Sequence, residues 1–148
     1  RSTCWNGEDG ARDVPGWSSD GRPLESGTDE IEGCWAAYLA ADDPSIWQVT
    51  DYAIRGNEIL ELKVDARDNW TGAVLRMTLF CSDGDARVPL ATSDVELTDV
   101  MREYTLSLDM LGSQAAVGLN IGIELGIVGA GTSQAIIDNV RLVDLMGF

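Results

Sequence analysis

From Ile46 onward the chain alternates apolar and polar residues with a period of two, and this pattern restricts the fold more than any other feature. A strand sends successive side chains to opposite faces, so such a segment buries one face and wets the other. Residues 58–67 put Leu60, Leu62, Val64 and Ala66 on one side and Glu61, Lys63, Asp65 and Arg67 on the other. Residues 74–82 set Leu75, Met77, Leu79 and Cys81 against Arg76, Thr78, Phe80 and Ser82, which predicts a buried Cys81 thiol and a solvent-facing Phe80. Residues 103–109, 117–127 and 135–143 continue the series. In the second of these, Val117, Leu119, Ile121, Ile123 and Leu125 are expected in register along one strand, with Gly118 and Gly122 opposite. Asp83-Gly84-Asp85, Leu111-Gly112-Ser113 and Gly129-Ala130-Gly131 carry residue types that tolerate tight-turn dihedrals. The prediction is an all-β chain, a two-sheet antiparallel β-sandwich, forming a single domain over residues 1–148. In the first 33 residues Gly7, Gly10, Gly16, Gly21, Gly27 and Gly33 recur among acids and Pro, which predicts long ordered loops rather than strands.

Charge and missing residue types exclude several functions. The formal charge is -15, from 25 acidic against 10 basic residues. Such a field repels phosphate backbones and anionic lipid heads, so neither nucleic acid nor a membrane surface is an expected partner, and neutral ligands are favoured over highly anionic ones. No apolar stretch reaches the length of about 18 residues that a membrane-spanning helix needs. The chain has no His. That removes the commonest general base, the Ser-His-Asp arrangement and His-type zinc sites, so no catalytic residues are predicted. A carboxylate-pair glycosidase is the remaining formal route, and no pair among the acids is marked for it. Three cysteines, Cys4, Cys34 and Cys81, allow one disulfide and one thiol, with Cys4–Cys34 as the preferred pair. The start at Arg1-Ser2-Thr3-Cys4 has no basic, then apolar, leader, as expected of a mature or excised fragment. Gly126-Ile127-Val128-Gly129-Ala130-Gly131 lacks the glycine order and the following helix of a nucleotide-binding loop.

The order Asn6-Gly7-Glu8, Val14-Pro15-Gly16-Trp17, Gly33-Cys34-Trp35-Ala36-Ala37-Tyr38-Leu39, Ile46-Trp47-Gln48 and Ile137-Asp138-Asn139-Val140-Arg141-Leu142 resembles the galactose-binding-like jelly-roll domains appended to bacterial polysaccharide-degrading enzymes, the carbohydrate-binding modules. The resemblance implies a secreted, extracellular or cell-surface domain, tethered to a catalytic domain and binding a polysaccharide or oligosaccharide. It also implies a structural calcium ion held by Glu8 and Asp138, to which the local chemistry of the acidic loops adds Asp9 and Asp29. Calcium takes about six to eight oxygens, and acidic Gly-rich loops supply carboxylates and carbonyls at the spacing it accepts. An adhesion or protein-interaction domain of the same fold is the alternative.

Five tryptophans sharpen the binding expectation, because an indole stacks flat on the apolar face of a sugar ring. Trp17 and Trp35 are expected to pack structurally. Trp47 alternates with residues that the resemblance assigns inward, and so is expected to face out. Trp70, in the polar turn Arg67-Asp68-Asn69-Trp70-Thr71-Gly72, is the first choice for a sugar platform. Tyr38, Tyr52, Arg67 and Arg76 are the candidates to complete a carbohydrate site, since Arg hydrogen-bonds vicinal hydroxyls in a bidentate way.

Overall fold

Alternating apolar residues become the inner faces of two packed antiparallel sheets. The computed structural model describes residues 17–19, 27–31, 34–41, 45–69, 72–128 and 133–145, with backbone alone for 27–31 and 34–36. The strands are β1 (Ser18–Ser19), β2 (Gly27–Ile31), β3 (Cys34–Ala40), β4 (Ile46–Ala53), β5 (Ile59–Asp68), β6 (Val74–Asp83), β7 (Ala86–Glu96), β8 (Arg102–Asp109), β9 (Asn120–Val128) and β10 (Gln134–Asp144). One sheet has the order β1-β4-β9-β6-β7 and the other β2-β3-β10-β5-β8. The predicted all-β sandwich is the observed architecture.

Between the sheets lies the core. Leu60, Leu62, Val64 and Ala66 from β5 are fully buried, as are Leu75, Met77 and Leu79 from β6. Ile121 and Leu125 from β9 and Ala135 and Ile137 from β10 close the same layer. Burying a Leu or Ile side chain in this way contributes about 1.5–3 kcal/mol. Cys81 is a free, buried thiol, as its phase predicts, and burial pushes its pKa up. Trp17 packs half-buried against this core. The Cys4–Cys34 pairing lies outside the described side chains.

Three expectations are corrected. Strand β9 begins at Asn120, not at residue 117, because Gly118 turns the chain at φ +88° and donates its N–H to Ile54 O at 2.8 Å. The left-handed turn at Gly118 takes the chain out of the strand direction there, so Val117 and Leu119 belong to the turns that precede β9. Within the first 33 residues, where loops are expected, β2 forms by pairing with β3 from Gly27 opposite Tyr38 to Ile31 opposite Cys34. A short, polar segment with little alternation of its own is drawn into the sheet by backbone hydrogen bonding to its neighbour.

Phe80 is the third. It faces away from the core, in phase with Arg76 and Thr78, yet it is fully buried. Its partners across the sheet are Gly122 on β9 and Pro89 on β7. A Cβ built on Gly122 would stand 2.1 Å from the Phe80 ring, so the ring lies directly over the bare glycine backbone. The β6–β7 register shifts between Leu79 and Phe80, where Ala91 and Pro89 are the successive partners. This bulge puts a proline, which has no N–H to donate, on an edge strand that tolerates it. The β6–β7 hairpin closes through Gly84 at φ +60°, as the Asp83-Gly84-Asp85 signal predicts.

Candidate functional site

On the outer face of the β1-β4-β9-β6-β7 sheet, the residues out of phase with the core stand in rows set by strand register. Arg76 on β6 is level with Asp94 on β7 and Gly126 on β9. Thr78 is level with Thr92 and Glu124, and Glu124 in turn faces Trp47 on β4. The next row holds Phe80, Gly122 and Val49. Gly126 contributes no side chain, so this face is low beside it, whereas the Phe80 ring fills the place over Gly122.

Those rims are hydrogen-bonded. Arg76 donates Nε and Nη2 to the two oxygens of Asp94 at 2.8 and 2.9 Å, a bidentate fork that holds the Asp94 carboxyl below its ordinary range. Thr78 and Thr92 share a hydroxyl hydrogen bond of 3.2 Å. Ser45 donates its hydroxyl to Glu124 Oε2, and Arg87 Nε lies 3.5 Å from Glu124 Oε1. The Arg87 guanidinium also stands 4.5 Å from the centroid of the Trp47 ring, a cation–π stack. Trp47 is half-buried, and its indole Nε1 is buried with no hydrogen-bond partner among the described residues. Two adjoining hollows result. One of about 200 Å³ is lined by Ser45, Arg76, Thr78, Glu124, Gly126 and Val128. A shallower one of about 470 Å³ is lined by Arg76, Thr78, Pro89, Thr92, Asp94 and Glu124. Shared lining residues make them one groove across the sheet, and both arginines named on this face lie beside a carboxylate.

No family model matches the chain, and no curated protein matches it in sequence. Solved structures do match in shape. A cyclase from Fischerella sp. TAU superposes with a TM-score of 0.71 at 18% identity, over 91% of this chain and 87% of that one. The CBM22-1 xylan-binding domain from Paenibacillus barcinonensis Xyn10C gives 0.62 at 13% identity over 98% of each chain. TmCBM61, in complex with β-1,4-galactotriose, gives 0.60 at 14% identity over 92% of each chain. What these structures and this chain share is the fold, a two-sheet antiparallel jelly-roll sandwich. This jelly roll carries both carbohydrate-binding modules and cyclases, so its shape alone does not separate binding from catalysis.

Within the jelly roll the predicted carbohydrate residues fall in different places. Trp47 and Arg76 share the grooved face. Tyr38 and Arg67 stand on the outer face of the opposite sheet, level with each other on either side of Ile136. There Arg67 donates Nη1 to Asp68 O at 3.0 Å and lies 3.4 Å from Asn69 Oδ1. Tyr52 belongs to a buried polar cluster beyond the groove. It donates its hydroxyl to Glu58 and accepts from Arg55 Nε at 3.1 Å. Burial, followed by the Glu58 carboxylate beside it, raises the Tyr52 pKa. Trp70 lies outside the described residues.

Of the four predicted calcium ligands, Glu8 and Asp9 lie outside the described residues, and Asp29 is described by its backbone in β2 alone. Asp138 is on β10 opposite Asp65, at a bulge where Asn139 adopts φ +51° and donates its N–H to Asp138 Oδ1 at 2.7 Å. No group of three or more acidic or cysteine side chains that could hold a metal occurs among the described residues.

Glu124, Thr92, Asp94, Arg87 and Ser45 were not anticipated as parts of a site. Glu124 had a readable signal: along β9 it is the charge set between Gly122 and Gly126 on the face opposite Ile121, Ile123 and Leu125. Thr92, Asp94 and Arg87 had little, because β7 is an edge strand with no fully buried residue and its alternation is broken around Pro89.

Proposed function

We propose that this domain is a non-catalytic carbohydrate-binding module that holds a neutral polysaccharide or oligosaccharide in the groove of the β1-β4-β9-β6-β7 sheet. The observation that carries the reading is the groove itself. It sets a fixed Arg–Asp fork, a glutamate and a threonine pair along one open face, with the Trp47 indole level with Glu124 on the neighbouring strand. Its larger hollow falls within the range of about 300–1,000 Å³ usual for small-ligand sites. Hydroxyl-rich ligands need donors and acceptors side by side, and the Arg76–Asp94 fork presents both. Arg76 and Arg87 lie beside Asp94 and Glu124, which favours a neutral chain over a sulfated or uronate-rich one. Carbohydrate is the printed ligand of two structures of matching shape, xylan in one and a galactotriose in the other. In the same reading the domain is secreted, tethered to a catalytic domain, and stabilised by calcium at Glu8, Asp9, Asp29 and Asp138. Trp70 adds a second platform.

Affinity gel electrophoresis over a panel of neutral and acidic polysaccharides, with calcium and with chelator, tests it. Retardation on a neutral polysaccharide that is lost in Trp47→Ala, with the far-ultraviolet spectrum unchanged, is the expected result. Unretarded migration of the folded protein on every polysaccharide overturns it. A second reading, a small-molecule cyclase, is favoured by the TM-score of 0.71 with the Fischerella enzyme. Calorimetric binding of 4-(1H-indol-3-yl)butan-2-one, the compound in one cyclase complex, without polysaccharide retardation would favour that reading instead.

A further inference from the structure

We propose that Arg87 is a latch over the Trp47 platform, which a sugar ring must displace before it can stack. The inference rests on the carbohydrate-binding reading and adds to it how access to the aromatic is controlled.

Two observations on the same indole carry it. The Arg87 guanidinium stands over the ring at 4.5 Å from its centroid, so it occupies the flat apolar surface that a pyranose CH face would use. A guanidinium and a sugar cannot share one side of one ring. At the same time the Trp47 Nε1–H is buried and finds no acceptor among the described residues. A buried donor left unpaired is unfavourable, so a rearrangement that lets it meet a sugar oxygen is assisted. The resting arrangement therefore leaves the platform covered and its N–H unmatched, and moving Arg87 aside releases both.

The surroundings suit such a movement. Arg87 is the second residue of β7, just past the β6–β7 turn, on the edge strand of its sheet. Its Nε is 3.5 Å from Glu124 Oε1, and the Ser45 hydroxyl holds Glu124 in place from the other oxygen. Glu124 is therefore a fixed pivot: the guanidinium swings off the ring and keeps its counter-ion. A ligand that stacks an apolar ring face on Trp47 replaces the displaced cation–π contact with a stacking contact of its own, whereas a ligand without such a face does not. The latch thus selects for a ring as well as limiting affinity.

The test uses the polysaccharide that retards the wild-type domain most strongly, with Arg87→Ala and Trp47→Ala run beside it. Freed of the latch, Arg87→Ala should bind on the order of threefold to tenfold more tightly, the range expected for losing one competing cation–π contact. Trp47→Ala should lose retardation. Weaker binding by Arg87→Ala, with Trp47→Ala still inactive, overturns the latch and makes Arg87 a direct contact, leaving the binding reading intact. Wild-type retardation in Trp47→Ala instead removes the platform and the latch together. A measurement without ligand reads the latch by itself. The Trp47 indole N–H resonance, assigned by its disappearance in Trp47→Phe, should exchange with solvent at least about tenfold faster in Arg87→Ala. An unchanged exchange rate overturns the proposal.

Discussion

Two places in this molecule join an aromatic, an arginine and a glutamate, and they use them differently. Below the end of β4, Glu58 is fully buried and takes every donor offered to it. Tyr52 donates its hydroxyl, and the backbone N–H groups of Arg55 and Gly56 donate at 2.8 and 2.6 Å. Arg55 bridges outward from there to the buried Asp144 at 2.7 Å. On the grooved face, Trp47, Arg87 and Glu124 are each only partly covered, and the indole N–H is left over. The first cluster is satisfied around its buried carboxylates, Glu58 and Asp144, although Arg55 itself is half exposed. The second keeps unmatched capacity at a surface. The difference teaches that residue type did not separate a structural tyrosine from a candidate binding tryptophan; completion of the hydrogen bonding did.

The comparison breaks most sharply at Glu58. Burial pushes its pKa up, but the hydrogen bonds from Tyr52 and from the neighbouring backbone amides outweigh this and hold the carboxyl at about 2, against an ordinary 4.5. A folded-state pKa below the unfolded one stabilises above the unfolded value and is lost as pH falls through the folded value. Wild-type stability should therefore decline as pH drops from about 5 toward about 2. Glu58→Gln should flatten that acid limb. Glu58→Ala, which leaves the tyrosine hydroxyl and two backbone donors unpaired, should cost about 3 kcal/mol in urea unfolding at neutral pH. A loss under about 1 kcal/mol would mean that the cluster is no more structural than the surface pair it is contrasted with.

Reading the sequence located the sandwich well and the site in part, and the reason is physical. Residues 58–67 and 74–82 alternate strongly because each strand has one buried and one wet face, so β5 and β6 were legible with their core residues. Strand β7 was not, since it is an edge strand whose inner residues are only partly buried and whose alternation breaks around Pro89. With it went Thr92 and Asp94 from the groove lining, and Arg87 beside Glu124. Trp47 and Arg76 were chosen correctly as outward residues, but nothing in the alternation says which of two sheets a strand joins. That is why Tyr38 and Arg67, equally outward, came to rest on the other sheet. Tyr52 was misleading for a different reason: its hydroxyl is taken up by Glu58, six residues on, and Arg55, which donates to that hydroxyl, is tied to Asp144, 89 residues away, only after folding.

Phe80 tests whether the groove floor is as soft as its rim. The ring is buried on the outer face only because Gly122 leaves room, and a methyl there would overlap the ring at 2.1 Å. The glycine has no left-handed backbone requirement, so Gly122→Ala isolates the steric effect. It should cost about 1–3 kcal/mol, the usual penalty for overpacking, and chemical-shift changes should centre on Phe80 and its neighbours. Phe80→Leu in the Gly122→Ala background should recover part of the loss. A neutral Gly122→Ala would show that the ring yields freely, and the floor would then belong with the adaptable rim.

The smallest expected effect on stability, and the most informative about recognition, lies in the Arg76–Asp94 fork. Both side chains are about half exposed, at 51% and 41%, so the pair resembles surface ion pairs worth about 0–1 kcal/mol. Asp94→Asn should leave urea unfolding within about 0.5 kcal/mol of wild type. Its consequence should appear in ligand choice. Without its carboxylate partner, Arg76 becomes an uncompensated cation in a groove otherwise balanced, so retardation on a uronate-rich polysaccharide should rise relative to the neutral one. Glu58 and Asp94 would then stand as opposite cases of one interaction, an acid whose removal destabilises the domain and an acid whose removal changes what it selects. If Asp94→Asn loses neutral binding and gains no anionic binding, the carboxylate is itself the hydroxyl acceptor, and the fork reads the sugar directly rather than setting the charge of the groove.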